Sequence, residues 1–565
     1  MISSTKTQVQ FIVKQSVALG LKYVVCSPGS RNAPLLIAFN QHPQIECIII
    51  PDERCAAFYA LGIAQQTDAL VGVCCTSGSA ALNYYPAIAE AYYQQTPLLV
   101  FTADRPISWV DQGDGQTIVQ HEVFKNHIRF STTITENVWD KEQQWFVNRQ
   151  ISEAFHSANE TVKGPVHINL PFSEPLYDQV EINESAFIEP IQISTLNHSL
   201  SDQQLKQIQQ TWEKSPKKMI LCGQMAPNEA LENSLKFISE DPSVIILVEN
   251  TSNLVHLQFV HCIDRTLQGI KETELADFSP DLLVILGGAV VSKKIKSYLR
   301  KFTPKETWKV GHDFLFMDTY QSLVHSFPMN PFTFIKSIDL TTRNYDANYR
   351  NKWKQKDYIN KDKALAFINQ QTIFSDLVAS NLLLDYIPEN SNLHLANSSI
   401  VRYAQLADPI KTIHTFCNRG TSGIDGSTST ACGASFVTPN KCNTLITGDI
   451  SFFYDSNAFF NKLSLSNLRV FLINNDGGGI FKIIPGPDTT NELNDFFVFE
   501  HGYSAEYICK AFGVKYYSAR SVSDIDEQME EFYTITTSDK PSLMEIFTDS
   551  ELNDKILKQY FDALS

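Results

Sequence analysis

The chain has 565 residues, 43% of them hydrophobic and 19% charged, an ordinary globular balance with apolar side chains for about three or four domains. Its formal net charge of −16, from 46 Lys and Arg against 62 Asp and Glu, argues against a nucleic-acid partner, because phosphate-backbone binders carry basic patches. Any anionic ligand must therefore be drawn by a local cluster of Arg and Lys against an unfavourable background field.

Eleven cysteines without a C-x-x-C spacing, with Cys74 and Cys75 adjacent in an apolar run, point to reduced, buried thiols rather than zinc ligands. Met1-Ile2-Ser3-Ser4-Thr5-Lys6 has no basic segment followed by an apolar one, so no signal peptide is expected. Apolar runs fall well short of the roughly 18 residues of a membrane span. A cytoplasmic chain with no membrane span is expected.

In chain order, Lys22–Cys26, Ile45–Ile50, Leu70–Cys75 and Pro97–Phe101 read as strands, with helical patterns such as Ser79 to Tyr93 between them. Continuous apolar strands separated by helices imply a parallel sheet covered on both faces. Ligands of such sheets gather at the carboxyl ends of the strands. The loops Ser27-Pro28-Gly29-Ser30-Arg31, Pro51-Asp52-Glu53, Thr76-Ser77-Gly78 and Thr102-Ala103-Asp104-Arg105-Pro106 all follow strands, and that co-location is evidence for one site. From about 185 to 200 the sequence reads as a linker. A second α/β unit follows, with strands Lys218–Cys222, Val244–Val248 and Leu282–Leu286. Gly287-Gly288 lacks a G-x-G-x-x-G and is expected to be a plain strand-to-helix turn. Lys- and Asn-rich sequence from Arg343 to Lys363 reads as a second connection. The expected domains are 1–184, 185–345 and 346–565. The first and third could be distant structural repeats, although no self-similarity in sequence shows it.

In the third unit, Thr444–Ile446 and Val470–Ile473 read as strands, each followed by a polar turn: Gly448-Asp449-Ile450-Ser451 and Asn474-Asn475-Asp476-Gly477-Gly478. Singly these are turn sequences. Together, the Asp449 carboxylate and the Asn475 amide oxygen can close on one hard cation, which takes oxygen ligands. The glycines leave backbone bare enough to approach a diphosphate, with Ser451 and its helix beside it.

This pair of turns, with Glu53 in Pro51-Asp52-Glu53-Arg54, resembles the signature of the thiamine-diphosphate enzymes. The resemblance implies three doubly wound parallel-sheet α/β domains: a pyrimidine-binding domain carrying the glutamate, a central Rossmann-like domain, and a diphosphate- and metal-binding domain. It implies thiamine diphosphate held with Mg²⁺ (or Mn²⁺) by Asp449, Asn475 and a carbonyl near Gly477. Gly448, Ser451, Gly477 and Gly478 would line the diphosphate, and Ile424 would be wedged under the bent cofactor. Glu53 would be the catalytic group, hydrogen-bonding the aminopyrimidine ring and moving its proton. The two cofactor-binding domains would come from different subunits, so a homodimer or a dimer of dimers is implied, with active sites at the subunit interface.

Five further motifs narrow the resemblance. Ser27-Pro28-Gly29-Ser30-Arg31-Asn32, Asp52-Glu53-Arg54, Thr102-Ala103-Asp104-Arg105-Pro106, Gly164-Pro165-Val166-His167-Ile168-Asn169 and Asn418-Arg419-Gly420-Thr421-Ser422-Gly423-Ile424-Asp425-Gly426 are similar to those of the 2-succinyl-5-enolpyruvyl-6-hydroxy-3-cyclohexene-1-carboxylate synthases of menaquinone biosynthesis. The implied reaction decarboxylates 2-oxoglutarate and adds the remaining four-carbon unit, in conjugate fashion, to isochorismate. Both substrates are dianions, which the planar fork of Arg suits. By resemblance Ser398, Arg402 and Arg419, with Gln116 nearby, would hold the 2-oxoglutarate-derived fragment. Ser30, Arg31, Arg105 and Lys293 would hold isochorismate, with Ile480 and Phe481 also on the substrate side. Gly115 stands where this branch often has Asn, and Lys294 where it often has Arg. No catalytic role falls to His121, His414 or His501. Two rivals remain: another thiamine-diphosphate enzyme such as an acetolactate synthase, which would carry a flavin, and a non-catalytic relic, which should have lost Glu53 or Asp449.

Overall fold

Three parallel sheets organise the chain in a computed structural model, described for residues 2–136, 138, 140–182, 189–193, 199–340, 347–534 and 540–565. The first unit runs through β1 (Ile2–Ser4), β2 (Tyr23–Cys26), β3 (Glu46–Ile49), β4 (Val71–Cys75), β5 (Leu98–Asp104), β6 (Phe130–Thr133), β7 (Val166–Pro171) and β8 (Gln179–Glu181). β1 and β8 form a small antiparallel ribbon, and the other six a parallel sheet in the order β3-β2-β4-β5-β7-β6. The middle unit contains β9 (Lys218–Cys222), β10 (Val244–Val248), β11 (Leu282–Leu286), β12 (Glu306–Val310) and β13 (Leu323–Phe327), in the order β10-β9-β11-β12-β13. The third contains β14 (Asn392–Leu395), β15 (His414–Cys417), β16 (Asn443–Gly448), β17 (Leu468–Asn474), β18 (Lys515–Ala519) and β19 (Ser542–Phe547), in the order β15-β14-β16-β17-β19-β18. Counted within its own sheet, the third unit repeats the strand order of the first. Topology carries the repeat that sequence similarity does not.

The apolar runs form these strands because both faces are covered. Along β9, β10 and β11 every residue is buried. Alternate residues enter opposite cores, Met219 and Leu221 on one face and Ile220 and Cys222 on the other.

Two readings need correction. The pattern from Ser79 to Tyr93 is not one helix but two, Ser79–Asn83 and Tyr85–Gln94, broken at Tyr84 with Pro86 in the first turn of the second. Proline has no N–H for the preceding turn, so it starts helices more readily than it continues them. The expected connection from Arg343 to Lys363 is instead mostly the helix Tyr349–Asn369. Its buried residues Tyr349, Trp353, Asp357, Asn360 and Ala364 recur at helical spacing, a stripe masked by the Lys and Asn of its exposed face. Tyr349 and Trp353 enter the core of the middle unit and Ala364 that of the third, so this helix ties the two together. The expected linker at 185–200 lies mostly outside the described residues, as do the expected domain limits at 184/185 and 345/346.

The first and third units meet within the chain along helices Glu53–Thr67 and Ser427–Val437. Their backbones touch: a Cβ on Gly62 would run into the Thr430 carbonyl, and one on Gly433 into that of Tyr59. Only glycine permits so close an approach. Asp455 is buried at this seam, accepting from Ser429 N and Oγ, both at 2.7 Å, and burial pushes its carboxyl up to about 6. Among the described residues no helix is long and apolar enough to cross a membrane.

Candidate active site

At the carboxyl edge of the first sheet, several loops knit together. Arg31, buried, donates from Nη1 to the Phe172 carbonyl (2.8 Å), pairs with Glu174 (3.2 Å), and has its backbone N–H on Thr76 Oγ1 (3.3 Å). Arg105 donates to the Gly115 carbonyl (2.9 Å) and pairs with Asp114 (3.3 Å). Gln116 adopts a positive φ and lies against Gly78, whose N–H donates to Gln120 Oε1. Glu53 opens the helix Glu53–Thr67, and Asp52 caps it by accepting from Cys55 N. Burial raises the Glu53 carboxyl above the usual range; its own backbone N–H opposes this and nearby Asp52 adds to it.

The third sheet gathers a second set of loops at its own carboxyl edge. Asp449 begins the short helix after β16, and Gly477 follows β17. The Gly477 N–H donates to Asp449 Oδ2 at 2.8 Å, so the two turns do converge. Gly477 has φ +147, and a Cβ there would press on the Val498 carbonyl, so the close approach requires glycine. The Asn475 amide nitrogen donates to Asp376 Oδ2 at 2.7 Å, which turns its oxygen outward as an acceptor. Ser451 Oγ donates to the Ile424 carbonyl at 2.6 Å, joining the expected wedge residue to the turn that Gly448 opens. The Gly478 N–H meets the Val498 carbonyl, and Phe481, near Ile480 in the next short helix, packs on Phe497.

One carboxylate, one amide oxygen and a glycine turn suit a hard cation that shares its remaining positions with phosphate oxygens. Among the described residues no group of three or more His, Cys, Asp or Glu could hold a metal. A cation at Asp449 would thus depend on the amide, on backbone and on ligand oxygens.

Arg402 and Arg419 converge beside this edge. Arg419 Nη1 donates to Asn397 Oδ1 at 2.7 Å, and Asn397 Nδ2 holds the Asn418 and Gly423 carbonyls. Ser398, next to Asn397, sits at φ +73, a strained conformation typical of sites fixed by function. Burial lowers the Arg402 pKa, and neighbouring Arg419 lowers it further. Lys293 stands exposed at the start of helix Lys293–Lys301. Lys294 turns away, donating to Gln268 Oε1 (2.6 Å) and lying 3.5 Å from the Phe561 ring centroid.

Three residues here carry no sequence signal. Glu90, buried in a first-unit helix, accepts from Gly420 N (2.7 Å), Thr421 N (2.6 Å) and Thr421 Oγ1 (2.6 Å), clamping the loop that bears Arg419 and Ile424. Asp376 looks like a first-turn helix acid, yet it is buried, orients Asn475, and is pushed by burial up to about 6. His501 lies 3.3 Å from Asp449 without the alignment of a hydrogen bond and stacks on Tyr503; Asp449 raises its pKa. Its contact is with a candidate metal ligand, closer to the site than the sequence indicated.

A cavity of about 490 Å³ opens at the carboxyl ends of β9, β11 and β12, bounded by Gln224, Gly287, Gly288 and Gly311, with Arg419 on its wall. The Gly287-Gly288 turn leads into helix Lys293–Lys301, as a strand-to-helix turn should.

Two sheets of one strand order, one presenting a half-buried glutamate and the other an Asp-Asn-Gly turn pair, define a thiamine-diphosphate-dependent enzyme. The family described as thiamine pyrophosphate enzyme, N-terminal TPP binding domain, matches residues 6–127. The chain is 42% identical over 560 residues to the 2-succinyl-5-enolpyruvyl-6-hydroxy-3-cyclohexene-1-carboxylate synthase of Flavobacterium johnsoniae, covering 98% of each chain. It is 38% identical to that of Cytophaga hutchinsonii (96% of each) and 36% identical to that of Bacteroides thetaiotaomicron (99% of each). The chain belongs to this family of synthases.

Proposed function

We propose that the chain joins 2-oxoglutarate to isochorismate, with loss of carbon dioxide, to give 2-succinyl-5-enolpyruvyl-6-hydroxy-3-cyclohexene-1-carboxylate in menaquinone biosynthesis. The observation that carries this reading is the convergence of Asp449, Asn475 and Gly477 at one sheet edge, with Arg402 and Arg419 beside it, in a chain of this family. When bound, thiamine diphosphate supplies the electron sink that lets a 2-oxo acid lose carbon dioxide. The protein supplies placement. Asp449, Asn475 and the Gly477 carbonyl would hold Mg²⁺ or Mn²⁺; Gly448, Ser451 and Gly478 would line the diphosphate; Ile424 would support the ring system; and the Glu53 carboxyl would give and take the proton at the aminopyrimidine. Ser398, Arg402, Arg419 and Gln116 take the 2-oxoglutarate side, and Ser30, Arg31, Arg105 and Lys293 the isochorismate side, with Ile480 and Phe481 covering them. A cytoplasmic setting fits eleven free thiols, most of them buried. Mass-spectrometric detection of the product from the two substrates tests the reading; its absence with cofactor and Mg²⁺ supplied would refute it.

The arginines divide the two substrates. A lost charge-assisted carboxylate contact costs about 1.5–3 kcal/mol, roughly 10–150-fold. Arg402→Ala should slow single-turnover release of carbon dioxide from 2-oxoglutarate alone by that factor. Arg105→Ala should leave that step nearly normal and raise KM for isochorismate. Equal damage to carbon dioxide release by both variants would mean one common anion pocket.

We also propose a homodimer whose sites pair Glu53 of one protomer with Asp449 of the other. Mixing inactive Glu53→Gln with inactive Asp449→Ala protomers should restore partial activity, because a mixed dimer holds one undamaged site. No recovery despite demonstrated subunit exchange would show that each chain builds its own site.

A further inference from the structure

The segment 417–423, which leaves the end of β15 and carries Arg419, is held from all three units. Within its own unit Asn397 ties it. Asn397 Oδ1 accepts from Arg419 Nη1 (2.7 Å), and its Nδ2 donates to the Asn418 (2.6 Å) and Gly423 (2.7 Å) carbonyls. From the middle unit, Gln224 Nε2 donates to the Cys417 carbonyl (2.6 Å). From the first unit, Gln94 Nε2 donates to the same carbonyl (2.9 Å) and to Glu90 Oε1 (2.5 Å). Glu90 then takes the two residues that follow Arg419: its Oε1 accepts from Gly420 N (2.7 Å), and its Oε2 from Thr421 N and Thr421 Oγ1 (both 2.6 Å).

Packing alone would not call for a charge at this place. Glu90 is 1% exposed, and a buried carboxylate is costly unless hydrogen bonds satisfy it. Each of its oxygens faces one backbone N–H, an arrangement an amide cannot copy, because its NH₂ would meet one of those two donors. The approach is close enough that a Cβ on Gly420 would stand 2.6 Å from the Glu90 carbonyl, which is why glycine follows the arginine. Arg419 is thereby fixed twice, at its side chain by Asn397 and at the next peptide by Glu90. Its Nε remains buried without a hydrogen-bond partner among the described residues, a donor of the guanidinium left for a ligand.

We propose that Glu90 is a positioning residue for the 2-oxoglutarate-side substrate: it fixes the backbone at residues 420–421 so that the Arg419 guanidinium, steadied by Asn397, meets a substrate carboxylate. Glu90 acts only through Arg419. The first unit thus contributes to the substrate pocket of the third through this clamp, in addition to supplying Glu53. The inference rests on the proposed reaction and deepens it.

Steady-state kinetics on the cofactor-loaded enzyme tests it. Glu90→Gln should raise KM for 2-oxoglutarate roughly 10–50-fold, since an ångström-scale shift of a binding group costs up to about 100-fold. The effect should not exceed that of Arg419→Ala, and the double variant should match Arg419→Ala within about two-fold, because the carboxylate acts through the arginine. KM for isochorismate and calorimetric affinity for thiamine diphosphate should stay within about two-fold of the wild type. A lowered unfolding temperature with KM for 2-oxoglutarate unchanged, or multiplicative effects of the two substitutions, would overturn the inference while leaving the reaction standing. So would a matching loss of thiamine-diphosphate affinity, which would make the clamp a support for Ile424 instead. A wild-type enzyme that makes no product from the substrate pair would overturn the reaction and the inference with it. Should Glu90→Gln fail to fold, Thr421→Val decides. It removes only the hydroxyl contact and should raise the same KM roughly 2–10-fold, the range of one hydrogen bond, with Thr421→Ser close to the wild type; an unchanged KM there would overturn the inference.

Discussion

Glu53→Gln should fold, bind thiamine diphosphate, and turn over roughly 10²–10⁴-fold more slowly, the span of a positioned acid-base group. The amide matches the carboxylate in shape and can still hydrogen-bond, but it cannot exchange a proton. The site favours a proton-exchanging acid: burial raises the Glu53 carboxyl, so the protonated form persists to higher pH than for a free glutamate. No structural loss is expected, because the helix cap is made by Asp52 and the seam to the third unit by Arg54, Cys55 and Tyr59. Unfolding temperature and cofactor titration should match the wild type while kcat falls. Near-normal turnover would remove Glu53 from the mechanism.

What was legible in the sequence follows from how each feature is encoded. The strands of the middle unit stand where the apolar runs place them, because burial on both faces leaves continuous runs with sharp ends. The Asp449 and Asn475 turns were legible as a pair because glycine and short polar side chains at two strand ends are uncommon in combination, and the Gly477 N–H on Asp449 brings the two together. The helix Tyr349–Asn369 was not, since its buried stripe includes Asp357 and Asn360, which read as surface residues until their partners are known. Asp357 accepts from Thr266 and Lys354, and Asn360 donates to the Arg265 carbonyl.

The same limit hid Glu90 and Asp376. Each is a carboxylate in ordinary helical sequence, and each works by holding backbone or a side chain far away in the chain. Glu90 reaches Gly420 and Thr421, and Asp376 reaches Asn475 and Thr548. Such long-range contacts leave no local periodicity. Their only trace is burial of a charge, which one sequence cannot display.

Asp449→Ala should abolish activity and weaken thiamine-diphosphate binding by roughly 100-fold or more, because it removes both a cation ligand and the anchor of the opposite turn. Asp449 Oδ2 takes the Gly477 N–H and Oδ1 takes the Ile450 N–H, so one carboxylate sets the spacing of the two loops. Alanine leaves the Gly477 N–H without that acceptor, at a cost of about 1–3 kcal/mol, and lets the glycine turn drift from its cradle against Val498. Asp449→Asn separates the two roles: its amide oxygen can still accept from Gly477, but the charge that draws Mg²⁺ is gone. A ligand that binds only the folded state raises the unfolding temperature in proportion to RT ln(1 + [L]/Kd). The wild type should therefore gain thermal stability from thiamine diphosphate with Mg²⁺, Asp449→Asn should gain less, and Asp449→Ala essentially none. Metal-independent contacts of Arg402 and Arg419 with a dicarboxylate should survive in both variants, since Arg419 is held in place by Asn397 rather than through Asp449. An Asp449→Ala protein that titrates with cofactor and Mg²⁺ as the wild type does would place the cation elsewhere and leave the turn pair as a purely structural junction.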